Sequence, residues 1–182
     1  GHDRQDVGRE KRHERMLQRQ HHDLAELVRA LRQDLRARHD GAEADEADIE
    51  NLYQYGIHVG LAFQLQDDLL DAFGDEKTFG KKTGSDIRDN KKTYLLLKSL
   101  QIASQEQQEA LKKHFSSTPD DPEPKVADVL AIYNTIDIRS HVEAEINKEF
   151  AMAQEYLSRV RVDQAHKQPI IELTDTLLNR EK

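Results

Sequence analysis

Residues 56–73, GIHVGLAFQLQDDLLDAF, set Gln64, Asp67, Asp68 and Asp71 into an otherwise apolar stretch. With Gly60 they recur at steps of four, three, one and three, which on a helix makes one narrow polar stripe. Three carboxylates on that stripe repel one another, by about 0.2–0.5 kcal/mol per pair even when solvated. Partial burial raises the cost and lifts their pKa values. A divalent cation removes the penalty, and oxygen donors with no Cys or His companion favour Mg2+ or Ca2+ over Zn2+. The competing reading is the solvated face of an amphipathic helix, and a lone DDxxD does not separate the two. The ligand order of an EF-hand loop is absent.

The next segment, FGKKTGSDIRDNKKTYLLL, places Lys81, Lys82, Lys91 and Lys92 on either side of Asp86 and Asp89. Its glycines let backbone approach a ligand closely. Metal-holding carboxylates with lysines close in sequence suit a diphosphate: the metal bridges its oxygens and the ammonium groups act as point charges. Taken singly, Lys82 and Lys92 read as surface charge balance.

The elements that must position these groups are helices. Asp45 or Asp48 can cap a helix running to Phe73. Residues 74–84 hold three glycines and read as a loop. A second helix is expected over 86–102. Ser104 and Gln107 form a capping box for a third, to Phe115. The segment SSTPDDPEP carries three of the four prolines and reads as a surface linker. A fourth helix is expected over 125–135. A fifth is carried by Val142, Ile146, Phe150, Ala153, Leu157 and Val160. Pro169 suits the first turn of a last helix ending near Arg180. No useful strand-like alternation occurs, so the fold class is all-α.

The 182 residues make one domain. No apolar run approaches the roughly 20 residues of a membrane span. A net charge of −8 argues against a general nucleic-acid binder. The chain has no Cys, which excludes thiolate chemistry and fits a reducing cytoplasm. It begins with Gly, which suggests processing, a tag or truncation. Residues 1–47 hold nine Arg and one Lys, against five Arg and twelve Lys in 48–182. All ten Phe and Tyr lie at or beyond Tyr53. The first stretch therefore reads as an atypical lead-in, with one amphipathic patch at Leu24, Leu27, Val28, Leu31 and Leu35.

The combination of FQ, DDxxD, GKxxGxD and a Lys before the next helix resembles the second aspartate-rich region of trans-prenyl diphosphate synthases. These are the farnesyl and geranylgeranyl diphosphate synthases of the polyprenyl synthetase family. The resemblance runs from about Asp48 to Lys182 and implies the C-terminal part of an isoprenoid-synthase helical fold. It implies Mg2+ as cofactor, an allylic diphosphate and isopentenyl diphosphate as substrates, and a homodimer. In such enzymes magnesium draws off the allylic diphosphate and the isopentenyl double bond attacks the developing cation. Electrostatic stabilisation is then the main catalytic contribution.

Residue by residue, the resemblance makes Asp67 and Asp71 magnesium ligands, with Asp68 alongside, acting through water or supporting the ligands. It makes Gln64 the side chain facing the reacting carbon and Phe63 a cavity wall, with core packing an equal alternative for Phe63. Lys81 and Lys91 become the lysines that grip the allylic diphosphate, with Asp86 in support.

The family's first DDxxD and its Lys-Thr helix are missing from residues 1–47. The expectation is a synthase C-terminal portion behind a foreign lead-in, of frameshifted, tag-derived or divergent origin, with no prenyl transfer of its own. The alternative is a non-catalytic helical partner of a complete synthase. A terpene cyclase relative is disfavoured by the GKKTGSD loop.

Overall fold

The structure is a computed structural model that describes residues 29, 46–74, 83–162 and 164–178. Its described elements are all helical: α1 (Glu46–Phe73), α2 (Ser85–Arg88), α3 (Tyr94–Ile102), α4 (Gln105–Phe115), α5 (Glu123–Thr135), α6 (Ile138–Arg159) and α7 (Gln164–Leu178). The all-α expectation holds. None of these helices is long and apolar enough to cross a membrane. Leu24, Leu27, Val28, Leu31 and Leu35 of the amphipathic patch, the candidate cap Asp45 and the residue Lys81 lie outside the described residues.

The chain divides into two compact units, one of Gly1–Phe63 with Ile146–Lys182 and one of Gln64–Glu145. In the first, Leu52, Tyr55, Val59 and Phe63 recur at three- and four-residue steps on α1. They form a buried cluster with Ala153, Leu157, Val160 and Ile170. The Tyr55 hydroxyl bonds to that of Thr174, which donates onward to the Ile170 carbonyl at 2.8 Å. Burial pushes the Tyr55 phenol up to about 12, so it stays a neutral donor. The His58 ring stacks on Tyr156 and its Nδ1 lies 2.6 Å from Glu149 Oε2.

Asp48 does not cap α1. It sits inside the first turn, 3% exposed, and accepts the Arg161 backbone N–H at 3.2 Å and pairs with its guanidinium at 3.4 Å. A carboxylate among apolar neighbours needs such donors.

In the second unit, α3 packs on α4, and both α2 and α4 pack on α5. The helix expected over 86–102 is broken into α2 and α3. Asn90 takes a left-handed φ of 56°, which its short amide side chain tolerates. Its amide is also claimed from outside: Nδ2 donates to the Ser117 carbonyl at 3.1 Å, and Oδ1 accepts from the buried Lys125. Asp137, at φ 49°, makes the equivalent break between α5 and α6.

The linker shortens to 116–122, because Pro124 is accommodated in the first turn of α5, where no N–H is required. Pro169 lies inside α7, at its sixth residue, and not in the first turn. The carbonyl of exposed Ala165 gives up its helical donor and is left to water.

The capping box is formed as expected. The Gln107 N–H donates to Ser104 Oγ at 3.3 Å, and the Ser104 N–H to Gln107 Oε1 at 3.0 Å. Ser104→Ala is expected to cost about 1 kcal/mol, read from urea unfolding, with Ser104→Gly costing only a few tenths.

Candidate functional site

The last ten residues of α1 expose their polar side chains to different degrees. Gln64 is exposed, Asp67 and Asp71 are half-buried, and Asp68 is 8% exposed. The stripe therefore tilts inward at Asp68, and an evenly solvated face is not what forms.

The backbone N–H groups that open a helix have no partner within it, so a carboxylate placed there is both hydrogen-bonded and favoured by the helix dipole. Two aspartates of α1 are used in this way. Asp68 Oδ2 accepts the N–H of Tyr94, the first residue of α3, at 3.3 Å. Its other oxygen accepts Gln64 Nε2 at 3.0 Å. Thr93, the residue at the N-cap of α3, makes no side-chain cap of its own. Asp71 Oδ2 accepts the N–H of Asp86, in the first turn of α2, at 2.9 Å, and Oδ1 accepts the Ser85 hydroxyl.

Asp86 extends this chain of contacts. Its Oδ1 accepts Lys91 Nζ at 2.5 Å, and its carbonyl accepts the Lys91 N–H at 2.9 Å. The hydrogen bond it donates to Asp86 holds the Lys91 ammonium above its ordinary pKa, so the side chain is a fixed cation. Lys91 is half exposed at this position, and Lys92 is exposed.

Gly84 closes the turn before α2. Its φ is +81°, its N–H donates to the Asp71 carbonyl at 2.6 Å, and a Cβ there would meet Val126 Cγ1 at 2.7 Å. Both the handedness and the space call for glycine.

Asp68, Asp71, Asp86, Lys91, Phe115 and Tyr133 are among the lining of a cavity of about 10 Å3. That is room for about one water. Burial pushes the Tyr133 phenol up, with the Asp68 and Asp86 carboxylates adding to the effect.

Of the residues singled out in the sequence, the structure brings together Gln64, Asp68, Asp71, Asp86 and Lys91. Asp67 is on the same helix, one turn before Asp71. Phe63 is 2% exposed and packed in the core cluster of the first unit. Three contributors were not foreseen: the Ser85 hydroxyl, the Tyr94 N–H and Tyr133. Ser85 stood next to Asp86 in the loop, a small hydroxyl residue where a helix starts. Nothing local marked the other two.

As oxygen donors the aspartates are of the type that suits a hard cation. Among the described residues, however, no three His, Asp or Glu side chains converge to hold a metal.

The model of the polyprenyl synthetase family matches residues 8–135, a span that starts within the Arg- and His-rich stretch and ends before α6. Farnesyl pyrophosphate synthase 1 of Cannabis sativa is 39% identical over 94 residues, 52% of this chain and 26% of that protein. A short chain isoprenyl diphosphate synthase of Methanothermobacter thermautotrophicus is 33% identical over 134 residues, 74% of this chain and 40% of its own. Among solved structures, a geranylgeranyl pyrophosphate synthase aligns with a TM-score of 0.66 at 34% identity, over 76% of this chain and 43% of that one. A second such synthase, from Corynebacterium glutamicum and complexed with isoprenyl diphosphate and magnesium, aligns with a TM-score of 0.63 at 30% identity, over 73% and 38%. The chain spans less than half the length of each of these relatives.

Burial, the largest influence on Asp68, raises its pKa above 3.8, with the Gln64 and Tyr94 hydrogen bonds pulling the other way. A raised carboxyl pKa means that the folded state holds the proton more tightly than the unfolded chain. Stability from this group is present at low pH and lost as pH rises through the folded pKa. Asp68→Asn keeps an acceptor for the Tyr94 N–H and removes the titration. Its stability relative to the parent chain is expected to rise between pH 4 and pH 7, as measured by chemical unfolding at each pH.

Proposed function

The chain belongs to the polyprenyl synthetase family, and from that premise we propose that residues 64–91 are the second metal and diphosphate half-site of a prenyl diphosphate synthase. The whole enzyme would transfer an allylic prenyl group to isopentenyl diphosphate. The observation that carries this reading is the linked run Asp71–Asp86–Lys91. It sets a cation beside the aspartates of α1 and fixes it there through a carboxylate.

Asp67 and Asp71, one helical turn apart, would hold Mg2+. Asp68 supports them from the core side while fixing the start of α3. Bound there, Mg2+ would neutralise diphosphate oxygens and so make the diphosphate a better leaving group. Lys91 would grip the same diphosphate as a point charge, its position set by Asp86, with Lys81 as its partner across the loop. The exposed Gln64 amide would face the reacting carbon. Phe63 supports the helix from the core. Dimerisation and a cytoplasmic location complete the proposal by family analogy alone.

Residues 1–47 contain no DDxxD. Groups that act as one catalytic unit are strongly non-additive. Half a metal cluster is therefore expected to give no turnover. The pure chain should incorporate no labelled isopentenyl diphosphate into longer products; measurable incorporation would remove the half-site reading. A non-catalytic partner subunit is the second reading, favoured by the way Asp68 and Asp71 are already satisfied by helix N-termini. Such a subunit would co-purify with a complete synthase and change its products.

Binding tests the site directly. Inorganic pyrophosphate should bind the chain only when Mg2+ is present, by calorimetry. Asp67→Ala and Asp71→Ala should each weaken that binding at least tenfold. Unchanged Mg2+-dependent binding in both variants would show that these carboxylates have a structural role alone.

A further inference from the structure

Tyr133 of α5 is 1% exposed, and its ring lies tilted on that of Phe73 with centroids 6.5 Å apart. A buried phenol calls for a hydrogen-bond partner. The Tyr55 hydroxyl has one in Thr174, but the Tyr133 hydroxyl makes no hydrogen bond to any described residue. Nor is it sealed in carbon. Among the described residues, Ser99 Oγ alone is a fully enclosed side-chain polar atom without a partner. The Tyr133 hydroxyl therefore keeps a trace of accessible surface. The space it opens on is the small cavity that Tyr133 lines with Asp68, Asp71, Asp86 and Lys91.

The charges around it agree. The Asp68 and Asp86 carboxylates are close enough to add to the upward push on the phenol, yet neither accepts its hydrogen bond. The phenol stays protonated, with a donor to give. Across the cavity, Asp86 Oδ1 holds Lys91, while Asp86 Oδ2 has no hydrogen bond to a described residue. Asp68 accepts one donor on each oxygen, from Gln64 and from the Tyr94 N–H. An ionised carboxylate can accept about four. The intervening volume of about 10 Å3 is at the size of one water, which needs roughly 10–15 Å3 and two to four polar partners. Ile87, Leu95 and Phe115 are in the apolar part of the wall. A water here accepts from the Tyr133 hydroxyl and donates to Asp86 Oδ2 and to Asp68, which is the usual complement of three bonds.

We propose that Tyr133 is a positioning residue of the Asp-rich site, acting through one buried water that accepts its hydrogen bond and donates to Asp68 and Asp86. Its consequence rests on the half-site reading above. The water pins the free oxygen of Asp86, so that this carboxylate cannot turn away from Lys91 Nζ. Tyr133 then helps to set the cation that would meet a diphosphate, without touching the diphosphate itself.

The first test is a crystal structure of the full chain without ligand. Density for one water within hydrogen-bond distance of Tyr133 Oη and of both carboxylates is expected. An empty cavity, a metal ion in that place, or a phenol bonded directly to a carboxylate would overturn the proposal. The second test is calorimetry with inorganic pyrophosphate and Mg2+. Tyr133→Phe keeps the ring on Phe73 and removes only the hydroxyl, and it should weaken binding by about threefold or more. In a Lys91→Met background, which binds more weakly from the start, the same change should add almost nothing. General damage to the fold would weaken binding equally in both backgrounds. Unchanged binding in Tyr133→Phe, or an equal loss in both backgrounds, would overturn the positioning role. A parent chain that binds no pyrophosphate would remove the half-site reading and this role within it, while the water is still decided by the density. Should Tyr133→Phe fail to fold by circular dichroism, the density in the parent chain decides the matter by itself.

Discussion

A carboxylate on the inner side of a packed helix must find donors, and in the second unit that requirement fixes where two helices begin. Asp68 and Asp71 find theirs at the open N-termini of α3 and α2. Each contact does two things at once. It gives the carboxylate hydrogen-bond donors, and it fixes where the next helix begins. Removing a carboxylate would therefore disturb both the charge balance and the path of the chain, whatever its role toward a ligand.

This arrangement joins structure and chemistry in one set of atoms. Asp86 is located by its backbone N–H, given to Asp71, and its own side chain then locates Lys91. The lysine is thus placed relative to the α1 carboxylates through two hydrogen bonds, though twenty residues or more separate them in sequence. A site built in this way has its cation and its acidic groups in register before any anion arrives, which lowers the ordering cost of binding.

Much of this was legible in the residues. The polar stripe, the end of α1 at Phe73, the capping box at Ser104 and the apolar spacing of α6 are local patterns. The features that local reading missed depend on partners distant in sequence. Asn90 breaks the expected 86–102 helix because Ser117 and Lys125 hold its amide. Asp48 serves Arg161, 113 residues away, where a capping role was expected. Phe63 joins a buried cluster with Ala153 and Leu157, residues far along the chain that no local pattern announces. Pro169 is tolerated inside α7 because the carbonyl it deprives is on an exposed residue, a fact about surroundings that composition does not carry.

Gly84 has a consequence for how this segment could change over evolutionary time. Two independent barriers stand against any side chain there: the left-handed φ and the contact with Val126. A smaller residue at 126 would relieve the second and leave the first untouched. A smaller residue at 126 therefore opens position 84 at most to Asn or Asp, the side chains that take a left-handed φ at Asn90 and Asp137. Drift at 126 is close to one-sided: it can proceed while the turn that delivers Asp86 to Asp71 still calls for glycine.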